Sequence, residues 1–318
     1  MGNASLKKRD ASIELFRICI MLGICLLHVH TIIMHDFGSI LTRSLMACVP
    51  AFAFLSGWFG IRFSLVKVVR LFVLAVFCSL VVTGWGQCFY GEWQGRGHFF
   101  FCSLQTVWHS WFLYAYFFLM IFAPLVNCAI EKDERILYPV LGLALGWSFL
   151  RTVFGKYIPD TEGLGSYSGL TLLGVYVFAR LVRRHRLVDR LNKWWVTLVA
   201  VICCLVCGLG HGLQEYNSIS CVLLAGAVFL LVKRVKVPAC LERIILFVSP
   251  SMFAVYLLHV TKYGFRSMGA LFKSLGMPAE LSALVVAGVV FVVCVSVDVL
   301  RRVIFRVLLR FLNKGDRS

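Results

Sequence analysis

The sequence predicts an all-α, polytopic membrane protein with about ten transmembrane helices. Of its 318 residues, 60% are hydrophobic and only 15% are charged, and the mean hydropathy is +0.86. An ordinary soluble domain carries more charge than this, so the composition excludes that class. The apolar residues also recur in windows long enough to cross a bilayer, and helices satisfy their own backbone polar groups there. We expect one compact transmembrane domain over residues 1–318.

Ten apolar windows predict the spans in chain order. They cover residues 13–34, 45–62, 68–86, 108–129, 136–153, 166–182, 195–213, 217–233, 246–263 and 280–300. The second and sixth windows are the weakest, because they are short and contain glycines. Two connecting segments, 87–107 and 154–165, are rich in glycine and aromatic residues. They are expected to be outer loops that can border an entrance for a polar molecule.

The basic residues predict the orientation of the chain. With the N-terminus in the cytoplasm, 24 of the 32 Lys and Arg residues lie in inner segments, which is a strong positive-inside bias. Both termini are therefore predicted to be cytoplasmic, in a multi-pass protein of the inner (cytoplasmic) membrane. The net charge is +17, and two basic clusters, Arg180 to Lys193 and Arg301 to Arg310, are expected to lie along anionic lipid headgroups. Membrane lipids are the expected partners of these clusters, and nucleic acid is not.

Most of the thirteen cysteines lie within predicted spans, where a thiol behaves as a small apolar group. Cys204 and Cys207 form a Cys-x-x-Cys inside a predicted helix, with no second pair at metal-site spacing, so packing is expected and a metal is not. Cys88 and Cys102 lie in the first outer segment. They would form a disulfide only if that compartment is oxidising, an alternative that the sequence leaves open.

The first span contains ionisable residues at a depth where each is costly. Arg17 and His28 are eleven residues apart, close to three helical turns, so they share one face and lie about 16 Å apart along the axis. A cation near one membrane surface is then in line with a deeper imidazole. Such a pair can hold a phosphate-bearing molecule at one end while its other end reaches the imidazole. His30 should point elsewhere, and His35 should return to the face of His28 near the outer surface.

Two acids within predicted spans have expected partners one helical turn away. Glu14 should form an ion pair with Arg17, and Asp298 should pair with Arg301 or Arg302. Glu14 is therefore expected to be a partner of Arg17 and not a catalytic acid.

Further basic residues crowd the predicted cytoplasmic end of the third span. Lys67 and Arg70 lie one turn apart and, with Arg62, can receive the phosphates of a nucleotide-like ligand beside Arg17. Snorkelling charges that fix the topology are the alternative interpretation.

Five motifs follow one another in the chain: Arg17-x10-His28, FAFLSGWF, Lys67-x-x-Arg70, WFLYAYFFLMIFAPLVN and SMFAVYLLH. Together they resemble the acyltransferase 3 family of membrane O-acyltransferases, which modify surface glycans and other carbohydrates. The resemblance covers roughly residues 10–262, and the ten-helix domain of that family agrees with the span count. One departure is Lys67, where the family often has an arginine, because lysine lacks the bidentate guanidinium fork.

The resemblance implies an acyl-CoA donor, usually acetyl-CoA, which approaches from the cytoplasm, and a carbohydrate hydroxyl as the acceptor. Arg17, Lys67 and Arg70 would then bind the phosphates of CoA, and Arg17 can also polarise the thioester. His28 would act as the general base, since an imidazole titrates near neutral pH. A second route, in which His28 carries the acyl group itself, stays open.

The expected contacts to substrate are His35, Trp111, Tyr256 and His259. All four lie in the outer half of the predicted bundle.

A function from another class would use the same intramembrane charges. A transporter or flippase of a sugar or lipid intermediate would line a path with them and perform no covalent chemistry. Such proteins often show repeated halves and paired broken helices, which this sequence lacks. A purely structural subunit would leave Arg17 and His28 unexplained.

Overall fold

The computed structural model describes residues 9–108, 110–154, 169–209, 216 and 218–315. Every regular element within these ranges is a helix, so the predicted all-α class is confirmed. The helices are α1 (Ala11–His28), α2 (Ile40–Leu45), α3 (Cys48–Phe59), α4 (Leu65–Phe89), α5 (Arg96–Trp108), α6 (Trp111–Lys132), α7 (Leu137–Phe154), α8 (Gly169–Arg184), α9 (Leu187–Arg190), α10 (Lys193–Leu209), α11 (Ile219–Val232), α12 (Ala239–Val248), α13 (Met252–His259), α14 (Lys262–Ser274) and α15 (Ala279–Gly315).

Six helical segments of the described chain are long and apolar enough to cross a membrane. They are Ala11–Ile33, Ile40–Phe59, Leu65–Phe89, Trp111–Lys132, Ala239–His259 and Ala279–Val307. Two shorter apolar helices, Lys193–Leu209 and Ile219–Val232, accompany them. The protein is therefore a multi-pass membrane protein. The count of ten spans and the cytoplasmic side of the termini stay predictions.

The helix that carries Arg17 and His28 occupies the centre of the bundle. Its N-terminus is capped by Asp10, whose side chain accepts a hydrogen bond from the backbone of Ser12, which is the usual role of an N-cap carboxylate. α1 packs against α3, α11, α12, α13 and α15. Phe16 and Leu27 on its apolar faces are almost fully buried. A helix enclosed on so many sides can present buried polar side chains to several neighbours at once.

Small residues let the central helices approach closely. A Cβ at Gly23 of α1 would lie 2.5 Å from Cys48 Sγ of α3, and a Cβ at Gly57 of α3 would lie 2.5 Å from the Tyr176 carbonyl of α8. Contacts this short require glycine, as in many membrane helix pairs. The Ser-Gly pair in the FAFLSGWF motif thus fixes the α3–α8 packing.

The first outer segment differs from the loop that its composition predicts. α4 continues to Phe89, and α5 covers Arg96–Trp108 after Gly95, which adopts a left-handed φ of 94°. The aromatic residues of 87–107 therefore lie largely on helices, since packing against α4 stabilises α5 despite Gly97. Cys88 and Cys102 are free thiols. Of the second segment, 154–165, residues 155–165 lie outside the described residues.

The expected ion pairs are confirmed. Arg17 Nη1 lies 3.1 Å from Glu14 Oε2, and Arg9 Nη2 lies 2.8 Å from Glu14 Oε1. Asp298, of which only 2% is exposed, pairs with Arg301 at 2.7 Å and Arg302 at 3.1 Å. Both acids are thus neutralised within the protein, which supports a structural role for each.

Candidate active site

Two histidines from distant parts of the chain meet at the centre of the bundle. His28 ends α1, His259 ends α13, and His28 Nδ1 lies 3.0 Å from His259 Nε2. His259 is only 1% exposed, and its Nδ1 lies 2.6 Å from the Val255 carbonyl one helical turn earlier. The sequence predicts both residues at the site but gives His259 a contact to substrate. The structure places it against His28, and its contact to substrate stays a prediction.

These contacts determine which nitrogen of each ring carries the proton. A carbonyl oxygen only accepts, so neutral His259 must donate through Nδ1–H to Val255. Its Nε2 is then the acceptor nitrogen, and His28 must donate Nδ1–H to it. The remaining nitrogen of His28, Nε2, then carries the lone pair, and no hydrogen-bond partner of it is found among the described residues. A neutral imidazole nitrogen on a ring oriented in this way can accept a proton.

A small aromatic-lined cavity adjoins His28. Its volume is about 20 Å³, and its lining includes His28, Trp111, Phe112, Tyr216 and Tyr256. A cavity of this size holds about one water molecule. Trp111 and Tyr256, both predicted to contact substrate, therefore lie beside His28. Through this cavity, a substrate can reach the imidazole only if these rings move apart.

A larger cavity, with several polar side chains in its lining, adjoins Phe265. Its volume is about 690 Å³, within the usual range for small-molecule sites. Phe265 belongs to its wall, and the Phe265 ring centroid is 5.6 Å from that of His28. The other lining residues are Glu92, Gln94, His98, Cys102, Gln105, Thr106, Val260, Thr261, Lys262 and Tyr263. Phe265 thus connects His28 to a cavity whose lining includes carboxylate, amide, imidazole and hydroxyl groups.

The predicted cations are placed at different distances from the histidines. Arg17 lies on the unbroken helix α1, so eleven residues separate it from His28 by about 16 Å along the axis. Its guanidinium is partly exposed and is held by Glu14. Lys67 and Arg70, on the first turns of α4, are exposed. A separate cavity at the end of α3, described below, has Arg62 in its lining, and neither Lys67 nor Arg70 is among its lining residues.

The expected placement of His35 is wrong. The helical run ends at Ile33 after a π-helical turn over Val29–Ile33. His35 follows in the connecting segment with a left-handed φ of 53° and an exposed side chain. It therefore does not continue the helix face of His28. The physical reason is that helical periodicity carries no information beyond the residue where the helix ends.

His30 has different neighbours from His28, as the helix geometry predicts. Its ring is fully buried, with Nδ1 3.5 Å from Asp36 Oδ2 and Nε2 3.5 Å from Glu280 Oε2. Hydrogen bonds, first from Ser39 and then from Gly38, lower the pKa of Asp36. His30 thus connects the end of α1 to Asp36 in the following loop and to Glu280 on α15. These contacts indicate a structural role for His30.

The sequence interpretation missed a basic cavity at the end of α3. Its volume is about 470 Å³, and Arg62, Arg180, Arg183 and Arg184 line it together with Glu131. Three of these arginines belong to the cluster that the sequence assigns to lipid headgroups. Their i, i+3 and i, i+4 spacing on α8 was the available signal. What the sequence could not supply was the packing of α8 on α3, which brings Arg62 to the same cavity.

Comparison with known proteins gives one result. A family model described as an acyltransferase domain matches residues 10–301. Comparisons with curated proteins and with solved structures give no match.

Proposed function

The chain belongs to the acyltransferase 3 family, whose domain covers residues 10–301, and from this premise we propose that it is an O-acetyltransferase. The proposed reaction moves an acetyl group from acetyl-CoA to a hydroxyl of a cell-surface or lipid-linked carbohydrate. The observation that carries the proposal is the hydrogen bond between His28 and His259. It leaves an acceptor nitrogen on a partly buried, oriented ring in a membrane acyltransferase.

In the proposed reaction His28 Nε2 accepts the proton of the acceptor hydroxyl as its oxygen attacks the thioester carbonyl. The carbon–sulfur bond then breaks, and the CoA thiolate takes the proton from the imidazolium. The products are the acetyl ester and CoA thiol, and His28 returns to its neutral form. The carbonyl of Val255 fixes the tautomer of His259, and His259 in turn fixes that of His28. His259 is therefore a positioning residue in this proposal.

The donor is proposed to approach from the end of α1 that carries Arg17. About 16 Å of helix separates Arg17 from His28, a distance that an extended pantetheine arm can span. Lys67 and Arg70 are exposed and are proposed as outer contacts of the CoA phosphates. Water screens charges at such positions, so each contributes little to binding.

The acceptor is proposed to occupy the polar cavity next to Phe265. Several of its lining groups, including Gln94, Gln105 and Thr106, carry neutral donors and acceptors of the kind that bind sugar hydroxyls. Tyr263 and Phe265 add aromatic surface for the apolar faces of a sugar ring. The contact of Phe265 with His28 supports transfer of a hydroxyl from this cavity to the base.

The test is acetyl transfer from labelled acetyl-CoA to a membrane fraction that carries the native carbohydrate, with purified protein. His28→Ala is expected to lower the rate by about 10²–10⁴-fold, the usual contribution of a general base. His185→Ala, which changes a half-buried histidine paired with Glu134, is the matched control and should leave the rate unchanged. Near-normal transfer by His28→Ala, or no labelled carbohydrate with the unmodified protein, would contradict the proposal.

A further inference from the structure

Among the residues that the structure describes, those lining the basic cavity at the end of α3 carry an excess of positive charge. Four arginines line it, and Glu131 is the carboxylate among the lining residues. Arg184 has its own partner, since its Nε lies 3.4 Å from Glu134 Oε2. Arg180 and Arg183 lie one helical turn apart, where like charges repel. An anion in this cavity would relieve that repulsion.

Arg180 is the member of the group that points most clearly to a ligand. Its Nε is buried and has no hydrogen-bond partner among the described residues. A buried polar group of this kind is costly unless something bonds to it. Arg183, by contrast, donates to the carbonyls of Trp58 and Phe59 and so caps the end of α3. Arg183 therefore has structural partners, whereas Arg180 Nε has no hydrogen-bond partner among the described residues.

The segment that follows α3, at Gly60 and Ile61, leaves space for the Arg180 side chain. Gly60 has a left-handed φ of 77°, and a Cβ there would lie 2.9 Å from Arg180 Nη1. The next residue is held firmly: Ile61 N donates to Tyr176 Oη at 2.8 Å, and Asn127 Nδ2 donates to the Ile61 carbonyl at 2.8 Å. Tyr176 Oη completes the network by donating to Asn127 Oδ1 at 2.9 Å. The cavity wall is therefore preorganised.

The cavity lies at the far end of α3 from the small cavity of His28, and a series of ring contacts connects it to the part of α1 that carries Arg17. The Arg183 guanidinium is 5.7 Å from the Trp58 ring, which packs on Phe229, and Phe229 packs on Phe16 beside Arg17. Phe52 lines the His28 cavity and Gly60 lines the basic one. Eight residues along α3 separate them by about 12 Å.

We infer that this cavity is a phosphate-binding site, with Arg180 as its central ligand and Arg62 and Arg183 as neighbouring donors. Guanidinium groups bind phosphate oxygens through paired hydrogen bonds, and several of them together suit a diphosphate. Two sources supply such groups to a membrane acyltransferase: the nucleotide of the CoA donor and an anionic lipid headgroup. The donor as source rests on the proposed function, and it would place the pantetheine arm along α3 toward His28.

The experiment measures binding by calorimetry with the full-length protein in neutral detergent. The probes are CoA, inorganic pyrophosphate and pantetheine, which lacks phosphate. The variants are Arg180→Gln, Arg180→Lys and the matched control Arg190→Gln, an exposed arginine of α9 outside the cavity. Thermal unfolding establishes that each variant is folded. A second arm compares nanodiscs with and without phosphatidylglycerol and measures how much of this lipid each variant retains.

With the donor as source, Arg180→Gln should weaken CoA and pyrophosphate binding about tenfold or more, the effect of one charge-assisted contact. Arg180→Lys should lie between it and the unmodified protein, and pantetheine binding and Arg190→Gln should not change. With lipid as source, Arg180→Gln should lose retained phosphatidylglycerol while CoA binding stays constant. Equal values for Arg180→Gln and Arg190→Gln in both arms would overturn the phosphate site. That result is independent of whether His28→Ala abolishes acetyl transfer.

Discussion

The replacement of His259 tests how the candidate base is held. His259→Ala removes the acceptor 3.0 Å from His28 Nδ1 and leaves that N–H without a partner in the centre of the bundle. An orphaned buried donor costs about 1–3 kcal/mol. If loss of the correct orientation of His28 raises the activation free energy by this amount, the turnover number should fall by roughly 5- to 150-fold. A change of 1.36 kcal/mol corresponds to a factor of ten in rate.

A second substitution separates positioning from mere packing. The amide of glutamine extends about as far as Nε2 of histidine, so in His259→Gln its oxygen can accept the hydrogen bond from His28 Nδ1. His259→Gln should therefore recover most of the rate, although it removes the ring. The Michaelis constant for acetyl-CoA should change little in both variants, because the donor phosphates bind at the other end of α1.

The assay is acetyl transfer from labelled acetyl-CoA under the conditions used for His28→Ala, with kcat and KM determined separately. The reasoning fails if His259→Ala turns over as fast as the unmodified protein. It also fails if His259→Gln is as slow as His259→Ala while both remain folded, because packing alone would then explain the effect.

Three further predictions concern other parts of the fold. His30→Ala should leave acetyl transfer within a few-fold of normal but lower the unfolding temperature, because His30 is fully buried between two carboxylates; a loss of activity as large as that of His28→Ala would contradict this assignment. Gly57→Ala should destabilise the protein by about 1–3 kcal/mol through overpacking against α8. Gly288→Ala is the control, because a Cβ there meets nothing within 4 Å, and it should leave the stability unchanged. Equal unfolding temperatures of the two variants would refute this prediction. A cysteine at Gln94 should react with an impermeant thiol reagent in intact cells and one at Arg186 only after permeabilisation, in a chain without other reactive exposed cysteines; the reverse labelling pattern would invert the predicted topology.

The amino-acid sequence alone determined the all-α class and much of the local pairing. Long apolar windows require helices in lipid, and the pairs Glu14–Arg17 and Asp298–Arg301 follow from one turn of helical spacing. The separation of Arg17 and His28 along α1 was predictable for the same reason. Each of these features depends on the geometry of a single helix, so the sequence is sufficient to predict it.

Only the tertiary structure decided how groups from different helices meet. His28 and His259 are 231 positions apart, and their contact depends on how α1 and α13 pack. The basic cavity likewise requires α8 to lie against the end of α3, where glycine permits close approach. Helical periodicity gives the face of a side chain but not the partner that the face meets, and it ends with the helix, as His35 shows. The histidine pair and the phosphate site therefore could not be read from motifs alone.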